Sequence, residues 1–373
     1  MMTSSRFRRD RWTTFVVLAV VVIGLLPVMT RSATAETSIV GARLAGQSGL
    51  VPYQAKPEVS GSFAIAGSDS MQPLMTKLLM AFKEWQPNVK TVVQGGGSEA
   101  ALRGFIGDQA TIRRGDAKNI GHHISGSVAL LASSRELSVE ERKDFHARYG
   151  FEPTEIPIAM DAVSIYVSKD NPLKGLTMEQ VDAVFGVDRR RGYHQAITKW
   201  KDLGIEDAWG AQPINLYGRD KRSGTRTFFI HEALLNGRIT ASIKEAPGSA
   251  SEILEISRDP LGMGYAGTEF QASTVKIVPL ASRAGMAFVE PTAASVLDGS
   301  YPLARHLYLY AKGGQDQAFE PQILSFLNFI NSREGQDVVA RAGYYPLSEG
   351  QIAKNMQLLN GSILSARNRD ERR

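Results

Sequence analysis

The chain has 373 residues, with 43% hydrophobic positions, 22% charged positions and no cysteine. This composition is that of a globular protein with ample material for a core, and it excludes a disordered chain and a disulfide scaffold. The formal net charge of +5 comes almost entirely from the first 35 residues, because the rest has 38 Lys or Arg against 37 Asp or Glu and therefore no general positive field for nucleic acid.

Residues 1–35 have the pattern of a cleavable export signal. Four arginines precede an apolar stretch, and the small-residue sequence Ser32-Ala33-Thr34-Ala35 follows it. The alternative is a membrane anchor, but the apolar run from Phe15 to Met29 is shorter than the ~18–20 residues that a spanning helix needs. We therefore predict cleavage after Ala35 and a periplasmic or secreted mature protein.

Residues 36–60 are rich in Gly, Ser and Pro without sustained periodicity, which predicts a linker. From residue 61 one local pattern occurs three times: a β-like run, a turn of glycine and hydroxyl residues, and an amphipathic helix. The turns are Gly67-Ser68-Asp69-Ser70, Gln94-Gly95-Gly96-Gly97-Ser98, and the longer Gly218-Arg219-Asp220-Lys221-Arg222-Ser223-Gly224-Thr225.

This pattern is typical of an anion site. A helix N-terminus leaves backbone N–H groups unpaired and carries about half a positive charge, glycine lets the backbone come close, and hydroxyls donate hydrogen bonds. Each hydroxyl could instead be only a helix N-cap. Three such turns in one chain, one of them with Arg219, favour a tetrahedral oxyanion held without a metal or other cofactor.

At this point the sequence resembles the periplasmic phosphate-binding proteins that feed ABC-type phosphate importers. The resemblance covers most of residues 61–347. Besides the three turns, it rests on Ala132-Ser133-Ser134-Arg135, Ile158-Ala159-Met160-Asp161-Ala162-Val163, Gly264-Tyr265-Ala266, Tyr301-Pro302-Leu303-Ala304-Arg305 and Gly343-Tyr344-Tyr345-Pro346-Leu347. The order of these motifs along the chain makes the resemblance specific.

The resemblance implies a bilobed α/β periplasmic binding protein fold of type II, with two lobes joined by a two-segment hinge. We expect the first lobe at residues 61–160 and 266–348, the second at 161–265, and a C-terminal helix and charged tail at 349–373. It also implies a monomer that closes on one inorganic phosphate and passes it to the transmembrane subunits of an ABC importer. No catalytic role, cofactor, metal or nucleic-acid partner is expected.

The phosphate ligands that the resemblance implies are carried over position by position. They are Ser70 and the backbone of Met71 in the first turn, Ser98 in the second, and Arg219, Ser223, Gly224 and Thr225 in the third. Arg219 is the charged ligand, and Asp220 or another carboxylate would orient it.

At one position this chain differs from many members of the family. They carry an Asp that accepts the proton of hydrogen phosphate where this chain has Ser134 followed by Arg135, so both residues are candidate ligands. Asp161 would take over the acceptor role or would cap backbone groups at a strand end, and both interpretations remain open. Residues 108–128 are predicted to be an exposed insertion. The pair His122-His123 within it is a poor metal site, because no cysteine or acidic cluster accompanies it.

Three other functions remain as alternatives. The site could bind another tetrahedral oxyanion, such as sulfate, arsenate, molybdate or tungstate. The chain could act as a stand-alone phosphate sensor or scavenger with the same site. A secreted serine hydrolase is the remote alternative, since the sequence has no Gly-x-Ser-x-Gly motif.

Overall fold

The computed structural model describes residues 49–56, 58–107, 128–206, 208–270, 272–314 and 318–370, without the side chains of 362–370. All of these residues belong to one unit of the chain. The predicted signal segment, most of the predicted insertion with His122-His123, and the last three residues of the charged tail lie outside the described residues.

The described residues alternate between strands and helices, which confirms the predicted α/β class. The strands are β1 (Gly61–Gly67), β2 (Val89–Gln94), β3 (Leu130–Ser133), β4 (Thr154–Ser168), β5 (Leu176–Thr177), β6 (Asn215–Arg219), β7 (Lys244–Ala246), β8 (Gly262–Gly267), β9 (Val275–Val278), β10 (Leu280–Ala281) and β11 (Ala304–Ala311). The helices are α1 (Gln72–Trp85), α2 (Ser98–Gly107), α3 (Val139–Tyr149), α4 (Met178–Phe185), α5 (Gly224–Glu232), α6 (Ser249–Arg258), α7 (Ala293–Leu297), α8 (Pro321–Ile330), α9 (Arg333–Arg341) and α10 (Glu349–Asp370), with a 3₁₀ turn at Trp200–Leu203.

One long strand connects the two halves of the main sheet, whose order is β2-β1-β3-β11-β4-β8-β6-β7 with β9 also against β4. The first part of β4 pairs with β11, and its second part pairs with β8 and β9. Strands β1, β2 and β3 are parallel, so the turns after β1 and β2 leave the sheet at the same edge. The separate small sheet contains β5 and β10.

Two large groups of buried side chains lie on either side of this crossing. In the first, Leu74, Leu78 and Phe82 of α1 pack with α8, α9 and the first strands. In the second, Trp200 and Phe229 pack with the later half of the sheet. At roughly 1.5–3 kcal/mol for each large apolar side chain removed from water, both groups are substantial cores, as two lobes require.

Packing differs from the expected boundaries in two places. Strands β9 and β10, together with helix α7 and Leu303, pack with the second core, whereas the sequence analysis put the return to the first lobe near residue 266. Part of the predicted linker also packs in the first core: the Tyr53 ring lies edge-on to Phe329 at 5.3 Å between ring centroids, and its hydroxyl meets Ser325 Oγ at 2.6 Å.

Local signals set the helix starts. The sequence Thr177-x-x-Gln180 forms a capping box at the start of α4, since Thr177 Oγ1 accepts from the Gln180 backbone N–H and the Gln180 side chain accepts from the Thr177 N–H. Helix α10 continues through Asp370, so it extends into the charged tail predicted at the C-terminus. Within the described residues, no helix has the length and apolar character needed to cross a membrane.

Candidate anion-binding site

The three predicted turns lie at the starts of three helices. The first links β1 to α1, the second links β2 to α2, and the third links β6 to α5. The second and third turns touch directly, because the Glu99 backbone N–H donates to the Arg222 carbonyl at 3.3 Å. Because the second turn follows a strand of the first core and the third follows a strand of the second, their contact joins the two halves of the molecule.

Four buried hydroxyl groups form the centre of the site. Ser68 Oγ lies 3.3 Å from Ser70 Oγ and 3.0 Å from Ser134 Oγ, and Ser70 Oγ lies 2.7 Å from Thr225 Oγ1. Ser98 Oγ adjoins the group and accepts from the Ser134 backbone N–H at 3.4 Å. A hydroxyl hydrogen rotates freely about its C–O bond, so each of these groups is able to turn and donate to an oxyanion.

Glycine at two positions allows this close approach. A Cβ atom on Gly224 would lie 2.5 Å from Ser98 Oγ and 2.8 Å from Ser134 Oγ. A Cβ atom on Gly97 would lie 2.2 Å from the Arg222 carbonyl oxygen, and Gly97 has a φ of +95°, which disfavours other residues. The start of α5 can therefore pack against the other turns only without side chains at these positions.

Arg219 is buried at the edge of the site, with 1% of its surface exposed. Its Nη2 donates to Asp69 Oδ2 at 3.0 Å and to the Pro247 carbonyl at 3.1 Å, and its Nη1 donates to Ser249 Oγ at 2.8 Å. Its buried Nε has no hydrogen-bond partner among the described residues. Asp220, the suggested partner, instead binds Arg222.

Arg305 is a second buried arginine that the sequence analysis did not assign to the site. Its Nε and Nη2 donate to Asp161 Oδ2 at 2.9 and 2.7 Å, and its Nη1 donates to the Ser134 carbonyl at 3.0 Å. Both terminal nitrogens also lie 3.2 Å from Thr225 Oγ1. A basic residue within the apolar run of β11 was the sequence signal that could have identified it.

Most predicted ligands therefore lie together, and others have different contacts. Ser70, Ser98, Ser134, Asp161, Gly224 and Thr225 belong to the cluster with Arg305, while Arg219 is connected to it through Asp69, the neighbour of Ser70. Ser223 caps α5 by accepting from the Arg226 N–H. The Met71 N–H donates to the Ser68 carbonyl at 3.0 Å, so it is already used within the first turn.

Arg135 binds carboxylates and not the hydroxyl cluster. Its Nη2 lies 2.5 Å from Glu99 Oε1 and 2.6 Å from Glu141 Oε1, and its Nη1 donates to Glu141 Oε2 and to a backbone carbonyl. It also lines, together with Arg305, a cavity of about 560 Å³. The two glutamates thus balance the charge of the Arg135 guanidinium, and these contacts do not favour Arg135 as an anion ligand.

Two glutamates with buried carboxyl oxygens lie near the two arginines. Burial raises the pKa of Glu252 to about 8, and the nearby Arg219 opposes this increase. Burial and the neighbouring Asp161 raise the pKa of Glu269 well above its ordinary value. Asp161 itself is fully buried, and its Oδ1 accepts from the Ala162 N–H at 2.8 Å. Within the described part of the chain, no three His, Asp or Glu side chains are grouped as metal ligands.

Comparison with known proteins identifies the family. Residues 52–334 match the model of the PBP superfamily domain, which is most of the chain. The phosphate-binding protein PstS of Pseudomonas aeruginosa is 38% identical over 298 residues, which cover 80% of this chain and 87% of that protein. This chain belongs to the PBP superfamily and to its PstS family of phosphate-binding proteins.

Solved structures agree with this membership. A protein from Clostridium perfringens, described as a phosphate ABC transporter substrate-binding protein and solved with bound phosphate, aligns with a TM-score of 0.60 at 25% identity, over 77% of this chain and 100% of that chain. An ABC-type phosphate transport receptor from Vibrio cholerae shares the fold, with a TM-score of 0.55 at 21% identity, over 76% of this chain and 98% of that one. The bilobed fold expected from the sequence is thereby confirmed.

Proposed function

We propose that this protein binds inorganic phosphate between its two lobes, outside the cytoplasmic membrane, and delivers it to the transmembrane subunits of an ABC importer. The observation that carries the proposal is the cluster of hydroxyls from three helix starts between two buried guanidiniums. Charge-assisted hydrogen bonds from arginine to an oxyanion are about twice as strong as neutral ones, and hydroxyls complete a tetrahedral set of donors. The names of the relatives support phosphate as the anion.

The contacts that join the lobes support binding by closure. Ser70 meets Thr225, Asp69 meets Arg219, and Glu99 Oε1 accepts from Thr227 Oγ1 at 3.2 Å. Each of these pairs joins a residue of the first part of the chain to the turn or helix that follows β6. Opening of the lobes would separate them and expose the hydroxyls, as in other hinge-closing proteins.

A binding protein fits these contacts better than a hydrolase does. A serine nucleophile needs a base within hydrogen-bond reach, usually a histidine. The cluster serines bond to one another, to Thr225 and to backbone groups, while the described His146 and His231 pair with glutamates. We therefore propose that the protein is not an enzyme. The expectations of a monomer and of no nucleic-acid partner rest on the sequence analysis alone.

Calorimetry on the mature chain from Glu36, after exhaustive chelation, tests the binding step. We expect one phosphate per chain, with sulfate as a weak competitor. Binding that disappears with the chelator and returns with a divalent ion would contradict a site made only of hydrogen bonds. Tighter binding of sulfate, arsenate or molybdate would reassign the site to another oxyanion. Phosphate uptake by cells lacking the gene separates an importer component from a sensor or scavenger, because only the former limits transport.

Gly224→Ala tests whether the close approach of α5 forms the site. The added Cβ would collide with two serine hydroxyls, so we expect phosphate affinity to fall at least about tenfold, a change of about 1.4 kcal/mol. Gly350→Ala is the matched control, because a Cβ there meets nothing within 4 Å. Equal affinities of the two variants would contradict the proposed position of the anion.

A further inference from the structure

Glu269 has a buried carboxyl group that no part of the binding scheme uses. It follows β8 in a turn in which the Phe270 N–H donates to the Gly267 carbonyl at 3.2 Å. Both carboxyl oxygens of Glu269 are buried, and by normal geometry neither receives a hydrogen bond from another described residue. A buried ionised carboxylate without a donor or a counter-charge costs several kcal/mol, so this group calls for an explanation.

The charged and titratable groups around Glu269 offer it no proton donor. Asp161 on β4 lies against its carboxyl, and Arg305 on β11 is the nearby cation, but the guanidinium is already bound to Asp161, Ser134 and Thr225. Two tyrosine hydroxyls lie near Glu269. Tyr344 is within hydrogen-bond contact of it, but its hydroxyl hydrogen is donated to the Ser70 carbonyl at 2.6 Å, and Tyr166 donates to the Gly267 carbonyl at 2.9 Å.

Two carboxyl groups in contact, with one guanidinium for both, cannot both be ionised in a buried site. If both were ionised, the unpartnered oxygens of Glu269 would face Asp161 with lone pairs on both sides and no hydrogen between them. One proton between them removes a buried charge and creates a hydrogen bond at the same time. The raised pKa of Glu269, caused by burial and by Asp161, agrees with this geometry.

We propose that Asp161 and Glu269 form a carboxyl pair that carries one proton and one negative charge between them, and that this pair sets the charge of the anion site. The pair is connected to the hydroxyl cluster through Arg305, which bridges Asp161 and Thr225. Its single negative charge balances Arg305. A second negative charge would oppose the anion, so the proton on the pair and the anion at the hydroxyls stabilise each other.

The role in phosphate binding rests on the proposed function, while the charge of the pair does not. Electrophoretic mobility of the folded protein at neutral pH measures that charge directly. Glu140→Gln, at an exposed acid on α3, is the control that defines the mobility change caused by the loss of one negative charge. We expect Glu269→Gln to leave the mobility unchanged, because it replaces a neutral group. We expect Asp161→Asn to change it by much less than the control does, because the negative charge moves to Glu269. The double variant should change it as much as the control.

A mobility change for Glu269→Gln as large as that of the control would overturn the proposal, since Glu269 would then be ionised in the native protein. The same change for Asp161→Asn would show that the charge belongs to Asp161 alone and would also overturn it. Circular dichroism identifies variants that fail to fold, and the Glu269→Gln result decides the matter even if the double variant is one of them.

Phosphate titration of the same variants tests the link to binding. Each single variant leaves one negative charge behind Arg305 and the double variant leaves none, so the double should bind at least about tenfold more tightly than the product of the two single effects predicts. Additive effects would contradict the shared charge. If no variant and not even the native protein bound phosphate while the mobilities followed the expected pattern, the proposed function would fail and the carboxyl pair would remain.

Discussion

Arg219 and Arg305 are buried to a similar extent, but their charges are balanced in different ways. Arg305 on β11 is paired with Asp161 on the adjacent strand β4, where the two residues are in register. Arg219 at the end of β6 receives its counter-charge from Asp69, which lies in the turn after β1. One ion pair is therefore part of the sheet, while the other connects two parts of the molecule that would move apart in the proposed opening of the lobes.

This difference suggests that the two arginines have different roles. We expect the Arg305 pair to persist whether the cleft is open or closed, because strand pairing maintains it. The Asp69 carboxylate of the Arg219 pair also accepts from the Gly96 N–H at 2.7 Å, so it joins the first and second turns to the third, and we expect this pair to form only on closure. We expect Arg305 to contribute mainly to folding and to a fixed positive charge, and Arg219 mainly to affinity and closure.

The largest expected effect is on stability. Arg305→Met leaves Asp161 buried without a cation, and breaking a buried ion pair in this way costs about 3–5 kcal/mol. Urea unfolding at neutral pH would measure the loss. The double variant Arg305→Met with Asp161→Asn should recover much of it, because buried Glu269 stays protonated once Arg305 is absent and no uncompensated charge remains. A loss below about 1 kcal/mol for Arg305→Met would show that the sheet does not depend on this pair.

The next effect concerns pH and the glutamate behind Arg219. Because the pKa of Glu252 is raised from 4.5 to about 8, the folded chain keeps a proton between these values that the unfolded chain releases. The stabilising contribution of protonated Glu252 to the free energy of unfolding is therefore complete below about pH 4.5 and is lost as pH rises towards 8. Between about pH 5 and pH 8, the free energy of unfolding of Glu252→Gln should exceed that of the native protein by a difference that grows to on the order of 2–4 kcal/mol. Chemical unfolding would measure this difference.

Glu255→Gln provides the control for this pH effect, because Glu255 is an exposed acid on the same helix α6. Its stability should follow the pH dependence of the native protein. If Glu252→Gln followed it as well, Glu252 would be ionised in the folded chain at neutral pH, against the direction of its pKa shift.

A smaller effect in energy, but the decisive one for ligand binding, is expected at Arg219. Arg219→Ala should weaken phosphate binding by at least about tenfold, and by more than Ser98→Ala or Ser223→Ala, because a charged donor contributes roughly 1.5–3 kcal/mol against about 1 for a neutral hydroxyl. Arg219→Lys should not restore affinity, since lysine lacks the planar fork of donors. Calorimetric titration at fixed pH and salt ranks the variants.

Two other arginines serve as references for that ranking. Arg222→Ala, on the same turn but largely exposed and paired with Asp220, should bind phosphate almost as the native protein does. Arg135→Ala should do the same, because Arg135 binds glutamates. Near-native affinity of Arg219→Ala together with lost binding by Arg135→Ala would mean that the charged contact comes from the turn at Ser134.

The smallest expected effect is on closure. Asp69→Asn removes the charge of a partly exposed ion pair, which is worth at most about 1 kcal/mol. The variant should be more open without phosphate, so phosphate should reduce its radius of gyration by more than it does in the native protein, as small-angle scattering would record. Asp220→Asn is the matched control, because its partner Arg222 lies on the same turn. Identical changes in both variants would exclude Asp69 as a closing contact.

The sequence was sufficient for the features that depend on local chemistry. The helix of α1 follows from the spacing of Leu74, Leu78 and Phe82, and the capping box of α4 follows from Thr177 and Gln180. Glycine and hydroxyl residues before three helices predicted the candidate anion site, because close approach of the backbone depends on residue type. Gly224 and Gly97 meet that requirement at the expected places.

Only the tertiary structure decided which side chains neutralise which. Asp220 is the nearest acid to Arg219 along the chain, yet Asp69, 150 positions away, binds it. Arg305 lies at the site because β11 pairs with β4, and Glu269 lies near Asp161 because β8 pairs with the same strand. The register between distant strands cannot be read from neighbouring residues in the sequence, and electrostatic partners depend on distances of a few ångströms. The sequence therefore predicted the type of site, and strand pairing decided which charged side chains meet there.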